Sequence, residues 1–218
     1  MLFRDRRDAG QLLAARLSAL KDDPNVIVLG IPRGGLVVAA EIARALNAPL
    51  DIFIARKIGA PFNPELAIGA VTSNGDVLLD EDLIDQLRLR YDEITRQVES
   101  QRGEIARRLE RFRKNRPPLD VAGKTVVLVD DGVATGSTVL VALRALRKQS
   151  PARLILAIPV GPAETVARLT RECDEAIVLD TPEPFWAVGR FYFRFEQTTD
   201  DEVMALLDNA ARRTAPPS

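Results

Sequence analysis

The chain has 218 residues (24.0 kDa), 46% of them hydrophobic, which supplies one sizeable core and leaves too little length for two full domains. Its 30 Lys and Arg against 31 Asp and Glu give a net charge of -1, so no global field draws it to nucleic acid or to an anionic membrane. The absence of histidine excludes His-dependent triads and His-ligated metals, and the single cysteine, Cys173, excludes an intramolecular disulfide and thiolate clusters; carboxylate, lysine, arginine, hydroxyl and backbone-amide chemistry remains, with oxygen-bound cations such as Mg²⁺.

Residues 1–8, Met-Leu-Phe-Arg-Asp-Arg-Arg-Asp, are charged where a signal peptide needs an apolar run. A helix is predicted over 8–20 from the spacing of Leu12, Leu13, Leu17 and Leu20. The β-branched run 26–29 predicts a strand, followed by the loop Gly30-Ile31-Pro32-Arg33-Gly34-Gly35 and a helix to about residue 46. A second strand is predicted over 50–55. Segments 65–72 and 77–79 flank Ser73-Asn74-Gly75-Asp76, whose Asn-Gly pair marks a hairpin. From 80 to about 115, Ile84, Leu87, Tyr91, Ile94, Val98, Ile105, Leu109 and Phe112 recur at helical intervals. Unbroken, that helix would span roughly 50 Å, so a break near Gly103 or a projecting arm is expected, with one stripe packed on the body or on a second subunit. Arginines crowd 102–116, but Glu99, Glu104 and Glu110 are interleaved, which argues against RNA binding. After Arg116-Pro117-Pro118 the pattern alternates between strand (125–129, 153–158, 176–179) and helix (138–148, 163–172). That alternation predicts an α/β fold, a mainly parallel twisted sheet with helices on both faces. The longest uncharged stretch, 154–163, is half the ~20 residues of a membrane helix, so a cytoplasmic protein without a membrane partner is expected. Thr181-Pro182-Glu183-Pro184-Phe185-Trp186 precedes a final helix over 199–212 and a disordered tail at 215–218.

The run Val126-Val127-Leu128-Val129-Asp130-Asp131-Gly132-Val133-Ala134-Thr135-Gly136-Ser137-Thr138 is an apolar strand ending in two acids, then a glycine- and hydroxyl-rich turn opening a helix. In a parallel sheet that turn lies at the carboxyl end of a strand, where ligands of open α/β sheets bind. The first helical amides lack partners and carry the positive end of the dipole; with the Thr135, Ser137 and Thr138 hydroxyls they make a cradle for a phosphate monoester. Asp130 and Asp131 repel a phosphate but accept hydrogen bonds from two neighbouring hydroxyls, which suits the vicinal diol of a sugar phosphate. A plainer reading, in which the acids cap the next helix and the glycines make the turn, accounts for each feature separately but not for their combination. A P-loop needs Lys before the hydroxyl residue where this chain has Gly136, and residues 30–35 lack the Gly-x-Gly of a dinucleotide fold.

The run 126–138 resembles the phosphoribosyl-diphosphate (PRPP) binding motif of type I phosphoribosyltransferases. Residues 30–35 resemble that family's pyrophosphate loop, and Arg56-Lys57 falls where the family has a basic residue before a mobile loop. The resemblance covers 26–179, with a helical insertion at about 80–118 outside it; it implies a single domain over 1–218 with a small hood and C-terminal helix at about 181–212. It implies transfer of a 5-phosphoribosyl group from Mg-PRPP to a nitrogen of a nucleobase or similar heterocycle, releasing pyrophosphate, in a homodimer. Arg33, Lys57, Asp130 and Asp131 would be catalytic. Those four, with Gly34, Gly35 and the turn Gly132, Val133, Ala134, Thr135, Gly136, Ser137 and Thr138, would bind PRPP. Asp130 and Asp131 would meet Mg²⁺ directly or through water. Lys57 to Pro64 would be a loop that orders over bound PRPP.

Phe185 and Trp186 fall where the family's hood stacks an aromatic ring on the base; the alternative is that both rings only close the end of the sheet. Ala134 stands where the 6-oxopurine enzymes have an aspartate, and Phe193 and Arg194 occupy the region of their metal-contacting aspartate, so Mg²⁺ would be carried chiefly by PRPP oxygens and water. Segments 55–61 and 187–192 resemble bacterial predicted phosphoribosyltransferases with a helical insertion. Two alternatives stay open: a regulator that binds PRPP or a nucleotide without turning it over, and an enzyme that makes PRPP.

Overall fold

The computed structural model of the protein describes residues 1–114 and 116–214. Its first half comprises α1 (Arg6–Arg16), β1 (Val26–Gly30), α2 (Gly34–Leu46), β2 (Leu50–Ile52), β3 (Ala55–Ala60), β4 (Asn63–Thr72), β5 (Val77–Leu79), α3 (Glu81–Gln86) and α4 (Tyr91–Arg113). The second half comprises β6 (Thr125–Val129), α5 (Ser137–Lys148), β7 (Arg153–Val160), α6 (Ala163–Thr170), β8 (Glu175–Asp180) and α7 (Asp200–Thr214). The expectation of a disordered tail at 215–218 lies outside the described residues.

Five strands pair in parallel in the order β2-β1-β6-β7-β8. Alternation along each strand divides the core in two. Val26, Val28, Val127, Val129, Ile155 and Ala157 face α1 and α2, meeting Leu13, Leu17, Val38 and Ile42. Ile27, Leu29, Val126, Leu128, Leu154 and Leu156 face the other way, onto Val139, Leu143 and Leu146 of α5 and Leu169 of α6. Both faces are covered, which is why these strands read as unbroken apolar runs and why the α/β prediction holds.

A second, antiparallel sheet, β3-β4-β5, departs from the expected topology. The strand predicted over 50–55 ends at Ile52, and Ala55 opens β3. The Asn74-Gly75 turn forms as predicted, with Val71 opposite Val77 and Gly75 at φ 89°. Residues 57–60, expected in a mobile loop, belong instead to β3 and pair with β4, with register shifts on both sides of Gly59.

The long helical segment breaks, but not at Gly103, which lies inside α4. The break falls at 87–90, where Arg88 takes a left-handed φ of 50° and the Leu89 amide donates back to the Ile84 carbonyl. The helix does not project as an arm. Ile94, Val98, Ile105 and Phe112 of α4 pack on Ile58, Ile68 and Val71 of the second sheet and on Val203 and Leu207 of α7.

The end of α4 is tied to the main sheet by an ion pair with side chains 11% and 9% exposed. Arg113 donates from Nε to Asp51 Oδ1 at 3.0 Å, and from one terminal nitrogen to Asp51 Oδ2 at 2.8 Å and to the Ile52 carbonyl at 3.1 Å. Lys114 and Arg116 both reach Asp208 of α7. Breaking a buried pair from one side leaves an uncompensated charge. Asp51→Ala is therefore expected to destabilise the protein by about 3 kcal/mol or more, and Asp51→Ala with Arg113→Leu by less than the single change, read from urea denaturation midpoints.

Candidate active site

β1 and β6 are parallel neighbours with Gly30 opposite Val129, so the loops that follow them leave the sheet side by side. A Cβ on Gly35 would lie 2.8 Å from Asp130 Cα and 2.9 Å from the Val129 carbonyl, and one on Gly34 would run into Asp131 Oδ2. At Gly35 only glycine lets the backbone rest on that of Val129 and Asp130, whereas at Gly34 the neighbours are the side-chain ends of Asp131 and Arg6. The Pro32–Arg33 peptide is cis.

The acids themselves are held by groups distant in sequence. Arg6 Nε donates to Asp131 Oδ2 at 2.6 Å, with the two side chains 12% and 15% exposed. The same guanidinium lies 3.8 Å over the Phe195 ring and donates to the Glu196 carbonyl. Tyr192 donates its hydroxyl to the Asp131 carbonyl at 2.6 Å, and burial, then the charge of Asp131, push that hydroxyl's pKa up. Asp130 Oδ1 accepts from the Asp131 amide at 2.8 Å. Burial, followed by the neighbouring charge of Asp131, holds the Asp130 carboxyl well above the ordinary aspartate range. Arg6 and Tyr192 were not singled out in the sequence. The signal for Arg6 was weak, since 4–8 alternates charges as a solvated helix start does.

Gly136 caps α5 with a left-handed φ of 68°, a conformation that favours glycine, and among the described residues no side chain caps that helix. Its first amides therefore stay available beside Thr135 Oγ1 and Ser137 Oγ, which lie 3.2 Å apart. α6 supports the turn from behind: Thr165 Oγ1 donates to the Ala134 carbonyl at 2.9 Å, and Arg168 donates to the Thr135 carbonyl.

A cleft of about 620 Å³ opens beside this turn, between the β1 loop, β3 and α4. Ile31, Pro32, Lys57 and Thr138 line it together with Arg56 and, from the insertion, Gln97, Gln101 and Arg108. Lys57 is exposed on β3. Thus Lys57 and Thr138 share one cleft, whereas Asp130 and Asp131 meet Gly34 and Gly35 beside the turn and do not line the cleft. Arg33 reaches the other way, to Asp200 at 3.7 Å, and lines a separate cavity with Arg111. Phe185 stacks on Phe191 at 5.1 Å between centroids, while Trp186 is 79% exposed; neither ring lines the cleft.

Two adjacent carboxylates are oxygen donors of the kind Mg²⁺ accepts when it keeps several waters and substrate phosphates as its other ligands. No group of three or more acidic or sulfur ligands suited to a metal occurs among the described residues. Asp130 and Asp131 could therefore contribute two of a cation's oxygen ligands. Among the described residues no helix is long and apolar enough to cross a membrane.

The profile of the Phosphoribosyl transferase domain matches residues 6–190. Two Mycobacterium tuberculosis proteins, from strains CDC 1551 / Oshkosh and H37Rv and each named "Putative phosphoribosyl transferase", are 45% identical over 211 residues, 97% of this chain and 47% of theirs. The chain thus spans about half the length of these curated relatives. The crystal structure of TT1426 from Thermus thermophilus superposes with a TM-score of 0.86 at 43% identity, covering 95% of this chain and 98% of that one. The chain belongs to the phosphoribosyl transferase domain family.

The raised Asp130 carboxyl has a consequence for stability. Because its pKa is higher folded than unfolded, the folded state loses stability as pH rises from the unfolded aspartate value through the folded one. Asp130→Asn, which mimics the protonated form, is expected to raise the melting temperature at pH 7. That gain should vanish as pH falls below about 4, where both states protonate the native residue. Thermal unfolding of both proteins between pH 3.5 and 8 checks this, and a gain that does not change with pH would contradict it.

Proposed function

We propose that this protein transfers the 5-phosphoribosyl group of Mg-PRPP to a ring nitrogen of a nucleobase or similar heterocycle, with release of pyrophosphate. The observation that carries this reading is one edge of the sheet where an uncapped, glycine-opened helix start, two adjacent acids and a cationic cleft meet. Each matches one part of the substrate. The α5 turn, Gly132 to Thr138, receives the 5-phosphate on backbone amides and hydroxyls. Asp131 keeps Oδ1 available for a ribose hydroxyl while Arg6 holds Oδ2, and Asp130 receives the neighbouring hydroxyl. The β1 loop with Gly34 and Gly35, and Lys57 across the cleft, face the diphosphate.

Transfer breaks the bond between C1 and the diphosphate oxygen, whose electron pair leaves with pyrophosphate, and forms a bond from the ring nitrogen's lone pair to C1. Positive charge grows on the ribose beside the two acids and negative charge grows on pyrophosphate beside the cations, so the site is complementary to the charge separation of the transition state. Asp130 and Asp131, directly or through water, would hold the Mg²⁺ of Mg-PRPP, which when bound would supply charge neutralisation for the leaving pyrophosphate. With no histidine in the chain, an imidazole cannot take the proton lost by the heterocycle, whereas the departing pyrophosphate and solvent are acceptors that the reaction itself supplies. Trp186, exposed at the hood, is assigned to the face of the acceptor.

Pyrophosphate release from Mg-PRPP across a panel of purines, pyrimidines and other heterocycles tests the reading. Base-dependent release is expected, with at least a hundredfold loss in Asp130→Asn/Asp131→Asn while the far-ultraviolet circular dichroism stays unchanged. Retained turnover in the double variant would sink the assignment. PRPP binding without release by any base would favour a regulator. The emission of Trp186, the sole tryptophan, should change when saturating base and Mg-PRPP bind, and an unaltered spectrum would remove Trp186 from the acceptor site.

A further inference from the structure

We propose that Arg108, carried by the helical insertion, binds the diphosphate of the substrate, and that α4 is a fixed cover over that end of the cleft. The proposal rests on the reading of the cleft as the PRPP site.

The charges of the cleft come first. Arg56, Lys57 and Arg108 line it together with neutral polar and apolar residues, and among the described residues no carboxylate does. Cations on two walls of a cleft suit a compact polyanion, and a diphosphate carries several charges within a few ångströms. Arg108 also differs from its neighbours. Every other arginine of α4 has an acidic partner: Arg96 with Asp92, Arg102 with Glu99, Arg107 with Glu104, Arg111 with Asp200 and Arg113 with Asp51. Arg108 has no ion pair or hydrogen bond among the described residues, and it is the one that lines the cleft. A guanidinium left uncommitted there presents a planar donor fork of the shape that phosphate oxygens accept.

The helix holds that fork in place. Gln97, Gln101 and Arg108, spaced by four and seven, share a face beside the apolar stripe of Ile94, Val98, Ile105 and Phe112. That stripe is buried on the second sheet and α7. Arg56 Nε donates to Gln101 Oε1 at 2.5 Å, which joins α4 to β3 across the cleft, and Arg113 with Asp51 anchors the far end. The wall carrying Arg108 is thus packed before substrate arrives, so the ordering cost that a mobile loop meets on binding is already met in the fold.

Isothermal titration of the full chain in Mg²⁺ with pyrophosphate, PRPP and ribose 5-phosphate separates the possibilities. In Arg108→Ala, pyrophosphate and PRPP should bind roughly tenfold to a hundredfold more weakly, ribose 5-phosphate should bind as before, and Arg108→Lys should recover part of the loss. Arg107→Ala, which removes an exposed cation already paired with Glu104, should bind all three as the unaltered protein does. Unchanged pyrophosphate affinity in Arg108→Ala overturns the proposal, as does an equal loss for ribose 5-phosphate, which would mark a phosphate-monoester contact or a general disturbance of the fold. If the unaltered protein binds PRPP, the site reading stands whatever Arg108 does. If it binds neither PRPP nor pyrophosphate, the site reading fails and Arg108's role with it.

Discussion

The contact of the Gly34–Gly35 backbone with Asp130 and Asp131 is the constraint around which the site is arranged. β1 and β6 lie side by side in register, so two loops must leave the same sheet edge within van der Waals distance, and one of them carries two carboxylates. Removing both Cβ atoms from the β1 loop lets the loops touch. With the loops in contact, the start of α2 and the start of α5 sit together, and a ligand with anionic groups at both ends can meet both. Asp131 is then confined between Gly34 and Arg6. The cost appears at Asp130, which is left buried beside a second acid with its carboxyl driven toward the neutral form. A buried carboxyl beside a second acid is a place where stability alone would ask for a different residue.

Much of this was legible in the sequence because it is local. The strands could be read from short apolar runs, and the two acids, the turn and the start of α5 are contiguous from Val126 to Thr138. Contacts between distant segments could not be read. Arg6 and Asp131 are 125 residues apart, and nothing within Arg4-Asp5-Arg6-Arg7-Asp8 separates the arginine that enters the site from its solvated neighbours. Gly103 suggested a helix break, yet the packed stripe on both sides of it outweighs a glycine's modest helix penalty, while the actual break at Arg88 depends on a left-handed arginine with no sequence signature. The family resemblance implies a mobile loop over Lys57 to Pro64; the alternation that marks a strand at 55–60 is interrupted by irregular register around Gly59.

The insertion and the hood show two ways of attaching an addition to the same sheet. α4 is held by an apolar stripe and by a buried bidentate pair, so its position is specified by packing with one charged contact to set its end. The hood is joined to the chain's start instead: Phe3 pairs with Tyr192 as a short parallel bridge, its ring lies 5.3 Å from that of Tyr192, and Tyr192 in turn stacks on Phe195 at 4.9 Å. Through the Tyr192 hydroxyl and the Phe195 ring under Arg6, the hood's aromatic cluster reaches both the backbone and the side chain of Asp131. The acid is thus coupled to the part of the molecule that would face an acceptor.

The position of β1 also shapes how the chain reaches this structure. β1 lies between β2 and β6, and Val26 pairs with Thr125, about a hundred residues later. During synthesis one edge of β1 therefore has no partner until the whole insertion has emerged, and the central pairing of the sheet carries a large loop-closure cost. The antiparallel hairpin of β4 and β5 and the helices after it are built from near neighbours and can organise in that interval. The segment least like the rest of the fold is thus built from local pairings, while the central strand of the main sheet waits on its most distant partner.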